Sequence, residues 1–154
     1  MNELMKRLEK IAFNKSVAFC YLCYRETPSG RCGICGSDDL MRLVRGVGCE
    51  YHLDWIVRHL IDNTLDPIDE DQCFEESVRE CYPETTQVGW LTLNTVDTVK
   101  LADPISWDIS RSEWLDGELS DETVITFDYG STYFWTRDVE QYADNMEAEF
   151  EAAG

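Results

Sequence analysis

Four of the chain's seven cysteines stand as two CxxC pairs, Cys20-Tyr-Leu-Cys23 and Cys32-Gly-Ile-Cys35, with the eight residues YRETPSGR between them. Each pair can aim two sulfurs at one point, because a tight turn after the first cysteine brings the second alongside it. Pro28, Ser29 and Gly30 supply a chain reversal between the pairs. Four thiolates at about 2.3 Å from a common centre then complete a closed tetrahedral shell. The reading is one structural zinc ion held by Cys20, Cys23, Cys32 and Cys35, with iron in a similar shell, or thiols and disulfides, as alternatives. A redox couple would want one CxxC opening a helix between strands, where the helix dipole lowers a thiol pKa. Two pairs in a Pro/Gly-punctuated hairpin fit a metal better.

Residues 19–45 resemble a short zinc ribbon. Cys32-Gly33-Ile34-Cys35-Gly36 matches the CxxCG knuckle of that family, and DLMRLVR after it corresponds to the following strand. In the first knuckle Tyr24 stands where glycine is usual. The resemblance implies a fold for under a fifth of the chain, and zinc ribbons serve transcription, translation, replication and scaffolding. A second site built from Cys49 and His52, with His59, Cys73 or Cys81, competes with a plainer reading. In that reading Cys73 and Cys81 line an apolar helical face as small hydrophobes.

Catalysis finds little support. The two histidines, His52 and His59, accompany no nucleophile motif, and on an expected helix over 50–63 they would share one side. Phosphate-cradling glycine loops and HExxH are absent from the sequence. A closed four-thiolate shell leaves no coordination position for substrate. The expectation is a binding protein, not an enzyme, with a metal-stapled hydrolase as the catalytic alternative.

Charge is distributed unevenly. Residues 1–60 hold nine Lys/Arg and seven Asp/Glu, hence +2, whereas 61–154 hold four against 24, hence −20. Such carboxylate density repels nucleic acid and steers association with basic surfaces. On the helix expected after Asp69, the residues Glu76, Glu80 and Glu84 recur every fourth position, and like charges so placed weaken a helix by a few tenths of a kcal/mol per pair. Asp69, Glu76, Glu80 and Glu84, with Glu140, Asp144 and Glu147 on the last helix, are the candidate partner face. Plain solvated surface and a carboxylate metal site are the alternatives, the latter without a D-x-D-x-D-G loop to support it. In charge and size alone the chain is similar to DNA-mimic inhibitors of phages and plasmids, which occupy the DNA channel of restriction or CRISPR enzymes. This implies a basic, nucleic-acid-binding protein as partner. The competing expectation is a zinc-ribbon adaptor of transcription or replication that touches nucleic acid through Arg25, Arg31, Arg42 and Arg45.

The elements that must position these groups follow from periodicity. Leu4, Leu8, Ile11 and Ala12 mark a helix over 2–14. Leu53, Ile56, Val57, Leu60 and Ile61 mark the helix over 50–63. Asp69 caps a third to Cys81 with Phe74, Val78, Cys81 and Tyr82 inward. QVGWLTLN reads as a strand over 87–94, Asp103-Pro104 opens a helix to 115, and 124–137 reads as a β-hairpin turning at Tyr129-Gly130. Asp138 caps a last helix with Val139, Tyr142, Ala143, Met146 and Phe150 inward. Trp107, Trp114, Tyr133 and Trp135 are candidate interface aromatics, with core packing as the alternative.

The whole is an α+β fold: an N-terminal helix, a four-cysteine ribbon, then helices packed on a small antiparallel sheet. The expected domains are 1–48, helix and ribbon, and 49–154, an acidic α+β body. The longest apolar run, Val17 to Tyr24, is eight residues against the roughly 20 that cross a bilayer. The charged start MNELMKRLEK lacks a signal-peptide core, so a cytoplasmic location is expected.

Overall fold

The computed structural model describes residues 2–27 and 30–153; Pro28 and Ser29 of the expected reversal lie outside them. Helix α1 (Asn2–Asn14) forms where the sequence places it, because Leu4, Leu8, Ile11 and Ala12 recur on one face and are all buried. Its end is closed by an arginine from the ribbon. Arg42 donates from Nη2 to the carbonyls of Phe13 and Ser16 at 2.9 and 2.8 Å, and its guanidinium lies 4.1 Å from the centre of the Phe13 ring. Carbonyls left over at a helix C-terminus thereby gain a charged donor.

The ribbon is a four-stranded antiparallel sheet of β1 (Val17–Cys20), β2 (Arg25–Thr27), β3 (Met41–Val44) and β4 (Gly48–Glu50), in the order β2-β1-β3-β4. Strand β4 takes residues 48–50 and delays the next helix, so α2 runs Asp54–Thr64 rather than 50–63. His52 is therefore not helical. It sits in the preceding turn with φ 70°, which removes the expected one-sided pairing with His59.

The chain divides into two compact units, Met1–Asp66 with Thr126–Gly154, and Pro67–Ile125. This differs from the expected boundary at 48/49, because α2 and the last helix, α6 (Thr136–Ala153), both pack on α1. The first unit's core joins Leu8 and Ile11 of α1, Ile56 and Ile61 of α2, Phe134, and Val139, Tyr142 and Ala143 of α6. Arg7 of α1 holds α6 from outside, donating to Asp144 at 2.5 Å and Glu147 at 2.7 Å.

The second unit holds α3 (Glu70–Cys81), a hairpin of β5 (Thr85–Val88) and β6 (Leu91–Asn94), α4 (Thr95–Ala102), α5 (Pro104–Ser120) and the short strand β7 (Val124–Ile125). Asp69 caps α3 through Gln72 N at 3.1 Å, and Asp103 caps α5 through Ser106 N at 3.0 Å, as the sequence indicates. Two features depart from expectation. The single strand over 87–94 is a hairpin turning at Gly89-Trp90, with Gly89 at φ 62° as the first central residue of a two-residue turn. After it Asn94 accepts from Asp97 N at 3.0 Å and starts α4, a helix outside the expected elements. Phe74, Val96 and Trp107 form the core, with Val78 and Trp114 against it, while Cys81 and Tyr82, expected inward, are exposed.

In place of the long strands expected over 124–137, β7 is limited to Val124–Ile125 in the second unit and β8 to Phe134–Trp135 in the first, where Asp128 organises the loop before β8. Its Oδ1 accepts from the amides of Ser131 and Thr132 at 3.0 and 2.9 Å, and its Oδ2 accepts from the Thr132 hydroxyl at 2.7 Å. These donors, the Thr132 amide first, hold the Asp128 carboxyl well below the usual range. A carboxylate with a depressed folded pKa stabilises fully above its unfolded value, near 3.9, and loses that contribution as pH falls toward the folded value. Asp128→Ala is expected to lower Tm and raise hydrogen exchange at the Ser131 and Thr132 amides, with Asp128→Asn intermediate. The wild-type advantage over Asp128→Ala should shrink on acidification below about pH 4.

Candidate metal centre

Strand β1 ends on Cys20 and turns back through Cys23 into β2, where Cys20 pairs with Arg25. Tyr24, in the glycine position of this knuckle, adopts the left-handed conformation with φ 52°, as Gly36 does in the second knuckle with φ 73°. The backbone requirement is thus the same in both. Tyr24 meets it against its own side-chain cost, and its ring packs edge-on against Phe19 at 5.4 Å between centroids. In the second knuckle Gly36 N donates to Cys32 O at 3.0 Å and Arg31 donates to Gly36 O at 3.3 Å.

The four sulfurs converge. All lie within 4.8 Å of one another, with Cys20 Sγ to Cys35 Sγ at 3.6 Å and Cys23 Sγ to Cys32 Sγ at 3.7 Å. Disulfide bonding would need about 2.05 Å. A regular tetrahedron with bonds of about 2.3 Å has edges of about 3.8 Å, so the spacing fits four sulfurs around one ion. Backbone amides prepare the donors: Cys23 N donates to Cys20 Sγ at 3.5 Å and Ile34 N to Cys32 Sγ at 3.4 Å.

Crowding without a cation splits the thiols. The amides of Cys35 and Ile34 draw Cys32 down to about 6, while Cys23, bonded to the Cys35 and Cys32 sulfurs, is pushed up to about 12. A bound cation supplies the charge that lets all four ionise. Cys20 and Cys32 are buried, Cys23 is half-buried and Cys35 exposed, so the centre lies at the surface end of the sheet.

The other candidate ligands go elsewhere. Cys49 lies on β4 with its thiol 4.0 Å from Met41 Sδ, His52 is exposed in the turn, and His59 is bonded to Asn63. Cys73 and Cys81 belong to α3 in the other unit. Among the described residues, the four-cysteine group is where metal-ligating side chains gather.

The candidate partner face falls in two parts. Asp69, Glu76, Glu80 and Glu84 belong to the 67–125 unit and are exposed, but Asp69 is a cap, Glu76 accepts from Gln72 at 3.3 Å, and Glu84 falls beyond the end of α3 at Cys81, so the expected row on one helix reduces to Glu76 and Glu80. Glu140, Asp144 and Glu147 belong to α6, where Glu140 is exposed and the other two are engaged by Arg7. Three of the four arginines expected to meet nucleic acid are also engaged: Arg42 at the α1 terminus, Arg31 in the knuckle, and Arg45 on Glu26 at 2.6 Å. Among the candidate interface aromatics Trp107 is buried, and Trp114, Tyr133 and Trp135 are half-buried. Trp90 and Tyr129, outside the set of candidate interface aromatics, are fully or nearly fully exposed at turns. A glycine beside each was the signal.

No helix among the described residues is long and apolar enough to cross a membrane. Compared with protein-family models, curated proteins and solved structures, the chain matches none.

The centre is expected to hold one ion per chain. Cys20→Ser with Cys32→Ser should abolish it, read as metal content by mass spectrometry, whereas Cys49→Ser should leave the metal count unchanged.

Proposed function

We propose that the protein is a non-catalytic, zinc-stapled acidic protein that binds and blocks a basic, nucleic-acid-binding protein, as an anti-defence inhibitor of a phage or mobile element would. One observation carries the reading. The 67–125 unit contains fifteen Asp/Glu and three Lys/Arg, hence −12, and each of its three cations is already held by the unit's own carboxylates. Arg79 and Lys100 meet Glu75 at 3.4 and 2.5 Å, and Arg111 meets Asp71 and Asp108. Carboxylates thus outnumber the unit's own cations by twelve, and Asp69, Glu76, Glu80, Glu84, Asp97 and Asp116 are among those exposed.

A surface of that sign raises the encounter rate with a cationic partner by about 10- to 1,000-fold and disfavours nucleic acid. Zinc is the ion that suits four thiolates at tetrahedral spacing, and its closed shell gives it a scaffolding task. The engagement of Arg31, Arg42 and Arg45 argues against the adaptor alternative, since those side chains are committed to holding the ribbon and α1.

The test is inhibition of DNA cleavage by a panel of restriction and CRISPR nucleases, with the purified full chain titrated in. Glu76→Gln, Glu80→Gln and Glu84→Gln together should slow association about tenfold at low salt, change dissociation little and blunt the salt dependence. Inhibition equal to wild type at every salt concentration would remove the main support for the acidic face.

A further inference from the structure

The second unit contains an apolar cleft of about 510 Å³ between α3, α4 and α5. Phe74 and Trp107 form its floor, and Val78 and Val99 form walls. We propose that this cleft receives an amphipathic, lysine- or arginine-rich helix of the protein partner, apolar face inward. The proposal rests on the acidic-binder reading above and adds where and in what form the partner is held.

Three observations select this occupant. The cleft is open along one side. Among its own lining residues Tyr82 and Val99 are 61% and 43% exposed and form an outer apolar row along the open side. A small ligand would leave that outer row in water, whereas a helix lying along about 18 Å of α3 would cover it through apolar residues at i, i+3, i+4 and i+7.

The second observation is charge. Helical spacing puts Glu70 and Glu80 of α3 and Glu113 of α5 on the sides of those helices that carry the cleft residues Phe74, Ser77 and Ser110. An apolar trough between carboxylates complements a helix whose apolar stripe is flanked by cations. Lys100 already displays the pairing within the unit, with its ammonium 2.5 Å from Glu75 and 5.0 Å from the centre of the Trp107 ring.

The third is an unmet hydrogen bond. Thr95 Oγ1, on the cleft wall, is buried and has no partner. An occupant that brings a polar hydrogen or a water there would satisfy it.

The test uses the full metal-loaded chain and two fluorescein-labelled synthetic 18-residue Leu/Lys peptides of identical composition. One is patterned to form an amphipathic helix and the other is scrambled to have no apolar face. The patterned peptide is expected to bind at least about tenfold more tightly and to become helical on binding. Val99→Asp separates the cleft from charge alone: it adds a negative charge, so simple attraction predicts tighter binding, whereas an apolar cleft predicts about tenfold weaker binding. Ser110→Trp, which fills the cleft without changing charge, should weaken the patterned peptide and not the scrambled one. Near-UV circular dichroism checks that both variants are folded.

Equal affinity for the two peptides, or tighter binding by Val99→Asp, would overturn the cleft proposal while leaving the acidic-binder reading intact. No binding of either peptide would also overturn it, and the nuclease titration with the glutamine variants decides the acidic-binder reading separately. Self-association of the chain abolished by Val99→Asp would assign the cleft to a second copy and overturn the proposal as stated.

Discussion

Four sulfurs drawn within 4.8 Å of one another are the constraint on which the ribbon depends. Four thiolates cannot all carry charge at that spacing unless a cation sits among them, so the arrangement is one that could hold a metal ion. The sheet order β2-β1-β3-β4 puts Cys20 at the end of an inner strand, and both knuckles turn through a left-handed residue, Tyr24 or Gly36. The amides that bond Cys20 and Cys32 come from those turns. Backbone conformation and sulfur chemistry therefore specify each other. A tyrosine is admitted where glycine is easier because its ring finds Phe19.

Positive and negative side chains are divided between internal and external tasks. In the first unit Arg42 closes α1, Arg45 clasps Glu26 across the ribbon and Arg7 binds α6 to α1, so its arginines work mainly as fasteners. In the second unit the three cations are held by Glu75, Asp71 and Asp108, and exposed carboxylates such as Glu76, Glu80 and Glu84 remain on the surface. Net charge alone would not distinguish these arrangements. The pairing pattern does, and it shifts the interest from the basic front of the sequence to the acidic insertion.

What could be read from the sequence was whatever is encoded locally. The CxxC spacing, the Asp69 and Asp103 caps and the one-sided stripes of α1 and α6 each rest on contacts within a few residues, and each appears as expected. Features that depend on distant partners leave no such local mark. Strand β4 exists because β3 is beside it, a pairing that residues 48–50 do not announce, and its presence moved His52 off the helix. The Gly89-Trp90 turn is hidden because VGWL alternates acceptably as one strand, and the glycine at 89, which the structure uses at φ 62°, is the one local sign of it. Cys81 and Tyr82 kept helical periodicity at the end of α3, yet nothing in the unit covers them. The division into units was hidden for the same reason. It depends on α1 meeting α6 across the chain, and no local pattern reports that.

The 67–125 segment is an insertion in the first unit, and this orders events in time. The Arg7 to Glu147 contact spans 140 positions, so the side of α1 that meets α6 must wait for that length of chain before it is covered. The inserted unit, by contrast, has all its residues available once Ile125 has been made. During synthesis the acidic part can mature while α1 has met α2 but not yet α6, so the thiol-bearing unit is the later of the two to close.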